Sequence, residues 1–460
     1  MSTPIAESLA AELVAFCARP LPTDVEQRAV DLLRDYLGVT LGGAPEASSV
    51  ALRQGLEGLG TTGAGTVVGT ATRLAPIHAA LANGAAAHAL EMDDTHQGGS
   101  IHLGASVFSA ALAAAELHGA SGTRVLRAVV AGYEVAARLA MALRPDAHYA
   151  RGFHPTGTCG AFGAAAAAAL VAGLDAGRLA CALGVAGSQA AGSMEFLADG
   201  AWTKRLHPGW AACAGLHAAA LAAAGFRAPH TIFEGRFGTL HAYSDAATTE
   251  PLAGRPGGEL MRTSVKPHAC CRYAQGPIDA VLELRRRHAL RPDAVVRLEV
   301  GLVSAGFPIV CEPLAQKRRP RSVVDAQFSL PFSVAVALVA GAASPDEFTA
   351  AHFDDPAVQR LMDVVEPQRD AALDARYPDV WPVWVRATMR DGGVHEARVD
   401  HPRGDPENFP GRDELGGKFR RLAGRTLEAA AIVRLDAAID AFAGASRAAD
   451  LLALAQAAGK

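Results

Sequence analysis

From residue 5 to about residue 260 the apolar positions recur at helical period. The pairs Ala29–Val30, Leu32–Leu33 and Tyr36–Leu37 repeat three to four residues apart, as on one face of a helix. The same spacing predicts helices over 77–90, 106–118, 122–141, 159–171, 178–190 and 211–224, with Gly, Pro, Ser or Asp at nearly every junction. Ala and Gly dominate these segments, which predicts closely approaching helices. The run 164–169 is all alanine, and its apolar flanks Phe162, Leu170 and Val171 mark a core helix at a crowded crossing.

Near residue 260 the pattern changes. Residues 295–303 alternate as in a strand, and 383–389 and 394–399 read as two strands joined at Asp391-Gly392-Gly393. Between them, 332–339 and 358–364 read as helices. From Arg412 onward an amphipathic helical pattern returns, through Leu415, Phe419, Leu422, Ile432, Leu435 and Ile439. The expected fold class is mainly α: a large all-helical domain (1–264, completed by 405–460) with an inserted smaller α+β domain (265–404). A cleft between two such units is a common ligand site.

The chain has 460 residues, half of them hydrophobic, which is enough for a large core. A net charge of −4 without a basic tail or patch argues against nucleic acid as partner. No signal peptide is read at the N-terminus, and the apolar stretch 160–173 is too short to span a bilayer. A soluble cytoplasmic protein is expected, with no membrane partner. The seven cysteines, at 17, 159, 181, 213, 270, 271 and 311, follow no disulfide, zinc or iron–sulfur spacing and read as small buried thiols.

Three polar clusters interrupt the small-residue helices: Glu91-Met92-Asp93-Asp94-Thr95-His96 with His102 beyond, Gly152-Phe153-His154-Pro155, and Trp202 to Gly209 with Lys204, Arg205 and His207. Ionisable groups beside apolar helices acquire perturbed protonation, which acid–base chemistry needs. Taken singly, each has a plainer reading. Asp93 and Asp94 suit an exposed helix end, although two carboxylates at a helix C-terminus oppose its dipole. His102 suits a structural histidine, His154 a turn, and Lys204-Arg205 a solvated basic pair. Asp93, Asp94 and His96 would suit magnesium, but no third carboxylate is evident. His78, His88, His118, His217 and His241 fall in or near helices and read as structural. The string from Gly60 to Gly65 lacks the strand, helix and lysine of a phosphate loop and reads as a turn before a short strand.

In order along the chain, HALEMDDTH, GYEVAARL, GFHPTGTCGAFGAA, SQAAGSMEFLADGAWTKRLHPGWAA, IFEGRFG, KPHACCRYAQGPIDA, VVDAQFSLPFSVA and GDPENFP resemble the MmgE/PrpD family nearly end to end. That family contains 2-methylcitrate dehydratases, cis-aconitate decarboxylases and iminodisuccinate epimerases. The resemblance implies a helical domain with an α+β lid, a homodimer, no required metal or organic cofactor, and an active site between domain and lid. Asp93 and Thr95 fall on the family's acid and neighbouring hydroxyl, His102 on the histidine that follows, His154 on that of the GFHP motif, and Lys204 on the lysine of the TK motif. Two departures stand out. Many members carry a histidine where this chain has Gln275, and the decarboxylase branch carries a tyrosine near the position of Leu314, where this chain has none.

These residue types suit a small di- or tricarboxylate. Lys204 and Arg272 offer cations for carboxylates. His102 and His154 can carry a proton to or from carbon, Asp93 can orient a histidine, and Thr158 can cap the helix after His154. Gln275 can hydrogen-bond to substrate but cannot transfer a proton at neutral pH. Abstracting a proton beside a carboxylate opens dehydration or epimerisation, and losing carbon dioxide followed by protonation gives decarboxylation. The expected function is a cofactor-independent lyase or epimerase. The competing reading is a non-catalytic carboxylate-binding or scaffold protein that keeps the fold.

Overall fold

The computed structural model describes residues 3–254 and 256–457. The long helices Thr23–Gly43, Pro76–His88, Gly104–His118, Gly122–Ala142, Pro155–Ala172, Ala176–Gly187 and Thr203–Ala223 form its helical part. Pro155–Ala172 is central and packs against Gly104–His118, Gly122–Ala142, Ala176–Gly187 and Thr203–Ala223. By length and composition this helix could cross a membrane, being longer than the 160–173 stretch suggested; 94% of it is buried inside the fold. Small residues set its neighbours' spacing. A Cβ added at Gly209 would lie 2.2 Å from the Leu81 carbonyl oxygen, so Thr203–Ala223 lies against Pro76–His88 at backbone contact. Those two helices carry the site.

A four-stranded sheet runs in the order Val365–Arg369, Val295–Leu302, Val383–Met389, Val394–Val399. The first pair is parallel and the others antiparallel. Along Val383–Met389 every second residue is buried, as the alternation predicts. Strand Val365–Arg369 is absent from the sequence reading, because Glu366-Pro367-Gln368 breaks the apolar alternation. It lies at the sheet edge, where a proline is tolerated. Helices Arg272–His288 and Leu330–Ala340 pack together beside this sheet, and Leu330–Ala340 also packs on Pro356–Val364. Helix Arg412–Ala423 returns to Thr23–Gly43, held by Lys418 donating to Asp35 at 2.6 Å and to the Met92 carbonyl at 2.7 Å.

One connected cluster of buried apolar side chains runs from Ala6 through the helical part into Val295, Val300 and Val385 and on to Ala455. The two-residue strands Thr95–His96 and Thr263–Ser264 pair antiparallel and tie the polar loop after Pro76–His88 to the segment leading into the α+β part. The Gly60–Gly65 string runs into strand Thr62–Thr66 after helix Ala47–Gly58, as a turn and short strand. Two helices start earlier than their apolar periods do: Pro155–Ala172, expected from 159, and Thr203–Ala223, expected from 211. Pro155 sits at the first helical position, and Pro208 lies inside the second helix.

Candidate active site

Helix ends bring the three polar clusters together. His88 is the last residue of Pro76–His88. Glu91 follows with φ of 55°, a left-handed conformation that a non-glycine side chain adopts only when its surroundings enforce it. Its carboxylate accepts from the Lys204 ammonium, in the first turn of Thr203–Ala223, and from Lys266 at 3.4 Å. Lys204 also lies 2.8 Å from His88 Nε2. An ammonium only donates, so this nitrogen accepts and the His88 proton sits on Nδ1, which lies 2.7 Å from Asp93 Oδ2. The same oxygen is 3.1 Å from His102 Nδ1, an ion-pair distance without hydrogen-bond alignment. The His88 and His102 rings meet edge to face at 4.4 Å, and His154 stands 6.1 and 6.3 Å from them.

A cavity of about 50 Å³ lies beside this network. Glu91, Thr95, His102, His154 and Lys204 line it from the helical part, and Arg272, Tyr273, Ile309, Phe328 and Trp381 from the α+β part. The Thr95 hydroxyl and Arg272 Nε are buried there without a partner among the described residues. Such atoms are where a ligand oxygen gains most. A larger cavity of about 500 Å³ lies between Val265–His268 and helix Arg412–Ala423. Lys418, Arg403 and His268 on its wall are already paired with Asp35, Glu414 and Asp279, and none of the converging imidazoles reaches it.

Burial dominates the electrostatics. It pushes Glu91 up, but Lys204 and Lys266 outweigh it and hold the carboxyl below its ordinary range. It pushes Asp93 up as well, and the adjoining His102 and His88 rings hold it well down; a neutral ring donating N–H is enough to favour the carboxylate. Burial lowers His88 and His154, and takes His102 down to about 3 against the pull of Asp93. Lys204 is lowered by burial and partly restored by Glu91. The resting site is therefore two carboxylates, two ammoniums and neutral imidazoles. Asp94 differs from its neighbour. Burial raises it to about 7, and it accepts from Gly104 N at 2.8 Å and Tyr133 at 2.6 Å, anchoring the start of Gly104–His118.

The structure brings Asp93, Thr95, His102, His154, Lys204 and Arg272 to one place. Gln275 does not fit a substrate contact. Its Oε1 accepts from His268 N at 3.1 Å and its Nε2 donates to the carbonyls of His268 and Cys270, so the amide clamps the loop behind the cavity. Arg272 is not a free cation, because it is paired with buried Asp405. Lys204 likewise is paired with Glu91. Thr158 does not cap its helix; His154 holds the N-cap position, and the Thr158 hydroxyl meets His148 Nε2 at 2.9 Å. His88, read from sequence as structural, is the hub of the network. Glu91, Lys266 and His207 were missed too. His207 Nδ1 lies 2.9 Å from His154 Nδ1.

Among the described residues, His88, Glu91 and His102 stand close enough to hold a metal ion. Lys204 already occupies the donor atoms of His88 and Glu91, so the set does not fit a resident cation. Asp93, Asp94 and His96 do not converge on one point either: Asp94 serves Gly104 and Tyr133, and His96 Nε2 meets Glu259 at 2.9 Å.

The family model described as MmgE/PrpD N-terminal domain matches residues 7–252, and that described as MmgE/PrpD C-terminal domain matches residues 268–441. Among curated proteins, the cis-aconitate decarboxylase-like protein oryM of Aspergillus oryzae is 28% identical over 454 residues, covering 94% of this chain and 93% of the relative. The cis-aconitate decarboxylase of Aspergillus terreus is 28% identical over 443 residues, 90% of this chain and 88% of the relative. The human cis-aconitate decarboxylase is 26% identical over 442 residues, covering 92% and 88%. With both domain models matched in order and relatives aligned nearly end to end, the chain belongs to the MmgE/PrpD family.

Proposed function

We propose that this chain is a cofactor-independent lyase acting on a small tricarboxylate, with decarboxylation of cis-aconitate as the leading reaction. The observation that carries the proposal is the convergence of His102, His154 and Lys204 on one cavity with a Thr95 hydroxyl that has no partner among the described residues. The names of the aligned relatives support the substrate class. Loss of carbon dioxide leaves an electron pair on carbon, conjugated with the remaining carboxylate, and a proton must then reach that carbon. His102 or His154 is placed to deliver it, Lys204 to hold a carboxylate, and the Asp93–His88 pair to keep His102 and Lys204 oriented.

The cavity of about 50 Å³ holds a few waters, at about 10–15 Å³ each, and no tricarboxylate. Substrate therefore enters by displacement of Tyr273, Ile309, Phe328 and Trp381, and on this reading the 265–404 segment is a lid over the 1–264 and 405–460 helices. A homodimer and a cytoplasmic location belong to the same proposal and rest on the resemblance and the sequence.

Dehydration or epimerisation is the second reading. It is favoured by Gln275, whose engaged amide leaves no acid at that place, and by the missing tyrosine near Leu314. Tyr149 and Tyr273 line the cavity instead. The test is incubation with cis-aconitate, trans-aconitate, citrate, methylcitrate and iminodisuccinate in heavy water, with products followed by NMR. Carbon dioxide and a singly deuterated five-carbon dicarboxylate from cis-aconitate are expected. Hydration, dehydration or epimerisation products instead favour the second reading, and binding without any exchange at carbon favours a scaffold.

A further inference from the structure

His154 faces the active cavity, and His207 faces a different one. The second cavity, about 550 Å³ and open to solvent, is lined by Ser193, Glu195, Asp199, Thr203, His207 and Trp210. Phe196 lies in the wall of both cavities and packs edge to face on both imidazoles, at 6.2 Å from each. The histidines cross that wall together, with their Nδ1 atoms 2.9 Å apart. Two facing Nδ1 atoms at that distance share one proton, so one ring donates and the other accepts. Gly192, with φ of 151°, lies against both histidines: a Cβ there would be in ordinary contact, 3.5 Å from His207 Nδ1 and from the His154 carbonyl.

We propose that the His207–His154 pair is a proton relay, carrying protons from the solvent-open cavity through the Phe196 wall to the reacting carbon. This rests on the proposed decarboxylation, which consumes one proton per turnover: a carboxylate leaves as carbon dioxide, its bonding electron pair stays on carbon, and a carbon–hydrogen bond forms. A neutral His154 can give up its Nε2 proton without becoming an imidazolate only if its Nδ1 takes another, and His207 Nδ1 lies within reach. In the relay His154 Nε2–H is given to carbon, His154 Nδ1 takes the proton of His207 Nδ1, and His207 Nε2 takes one from water in the outer cavity. Each ring stays neutral before and after, which suits sites where burial disfavours imidazolium. Water admitted at product release restores the starting tautomers. Glu195 and Asp199 at the outer mouth supply acceptors that gather this water. His207 acts through His154 and touches no substrate.

Three variants test it: His207→Gln, His207→Ala and, as a control on the outer wall, Trp210→Phe. Gln keeps a hydrogen bond to His154 but cannot pass a proton. If the relay operates, His207→Gln lowers kcat about 100-fold with KM within threefold, the lower end of what positioned proton transfer contributes. His207→Ala falls similarly, and added imidazole, entering through the outer cavity, restores kcat in proportion to its concentration. Imidazole leaves His207→Gln and wild type unchanged, and Trp210→Phe keeps wild-type kcat. Wild-type kcat in His207→Gln, or no response of His207→Ala to imidazole, overturns the relay while leaving the decarboxylase reading intact. If wild type itself releases no carbon dioxide, that reading fails. The relay is then judged by nitrogen-15 NMR of the imidazoles: one shared proton coupled to both Nδ1 atoms, lost in His207→Gln, supports it, and its absence from wild type overturns it.

Discussion

The Lys204 ammonium lies 2.8 Å from Nε2 of His88, a cation donating to a neutral ring. That contact fixes the His88 tautomer, and through Nδ1 it fixes Asp93, which in turn faces His102. His88 therefore couples the proposed carboxylate anchor to a proposed proton carrier without lining the cavity itself.

Replacing His88 by Phe keeps ring size and removes both hydrogen bonds. Asp93 and Lys204 each lose a buried partner, at a cost of about 1–3 kcal/mol per group. We expect urea unfolding to show a total loss of about 2–6 kcal/mol, with turnover lowered at least tenfold. Stability within about 0.5 kcal/mol of wild type, the scatter of a neutral surface change, would show that His88 is a bystander.

Glu91 balances Lys204 and Lys266. Glu91→Gln leaves two ammoniums buried with no carboxylate between them, and breaking a buried ion pair from one side costs about 3–5 kcal/mol. Adding Lys266→Met removes one of the stranded charges. The double variant should recover much of the loss in denaturant unfolding. If the two changes simply add, the charges are not coupled as the geometry requires.

Much of this was legible in sequence, for identifiable reasons. The 383–399 hairpin is written in alternation and Asp391-Gly392-Gly393, and the structure pairs Val383 with Val399 as that pattern requires. His102, His154 and Lys204 stood out because each interrupts an apolar run. His88 did not, because it completes a helix and its partner Lys204 is 116 residues away. Separations of 175 and 133 residues hid the Glu91–Lys266 and Arg272–Asp405 pairs in the same way. Glu91 was in view within its motif, but its left-handed φ is not a sequence signal. Thr203–Ala223 was started too late because Pro208 reads as a breaker, whereas the helix accommodates it. Gln275 was misplaced because its spacing matches a substrate-contacting histidine, while its amide turns to the backbone of 268–270.

Acid should unfold the protein early. The folded imidazoles of His88, His102 and His154 are all lowered, that of His102 from an ordinary 6.5 to about 3. Between those values the unfolded chain binds protons that the fold refuses. Stability thus rises with pH in that window and is lost as pH falls below about 6.5, by up to about 1.4 kcal/mol per pH unit for each such histidine. Glu91, held below its ordinary 4.5, adds to the loss only below that pH. Denaturant unfolding at pH 7.5, 6.5, 5.5 and 4.5 should show the fall beginning near 6.5, with a shallower slope in His102→Gln. Asp94, raised to about 7, contributes with the opposite sign over the same window and offsets part of the loss. Parallel profiles of wild type and His102→Gln would therefore be the result that shows the His102 ring already charged in the fold.

The charge count of the resting site gives the last prediction. Glu91 and Asp93 offset Lys204 and Lys266, and Asp405 offsets Arg272, so among the described residues lining the site no cation is left uncompensated for a substrate carrying two or three negative charges. Such an anion raises the pKa of each imidazole beside it, because an opposite charge within about 4–6 Å favours the charged form. A rise of about 1–3 pH units from about 3 brings His102 to titrate at roughly pH 4–6, so binding should draw a proton onto it in that range. Calorimetric titration with a non-reacting tricarboxylate at pH 5.5, in buffers of different ionisation enthalpy, should give apparent heats whose slope reports net proton uptake. Affinity should weaken as pH rises, by up to tenfold per unit for each proton taken up. His102→Gln should reduce the uptake. Heats independent of the buffer would show that the anion is met by fixed cations alone, and the neutral-imidazole account of the site would fall with that result.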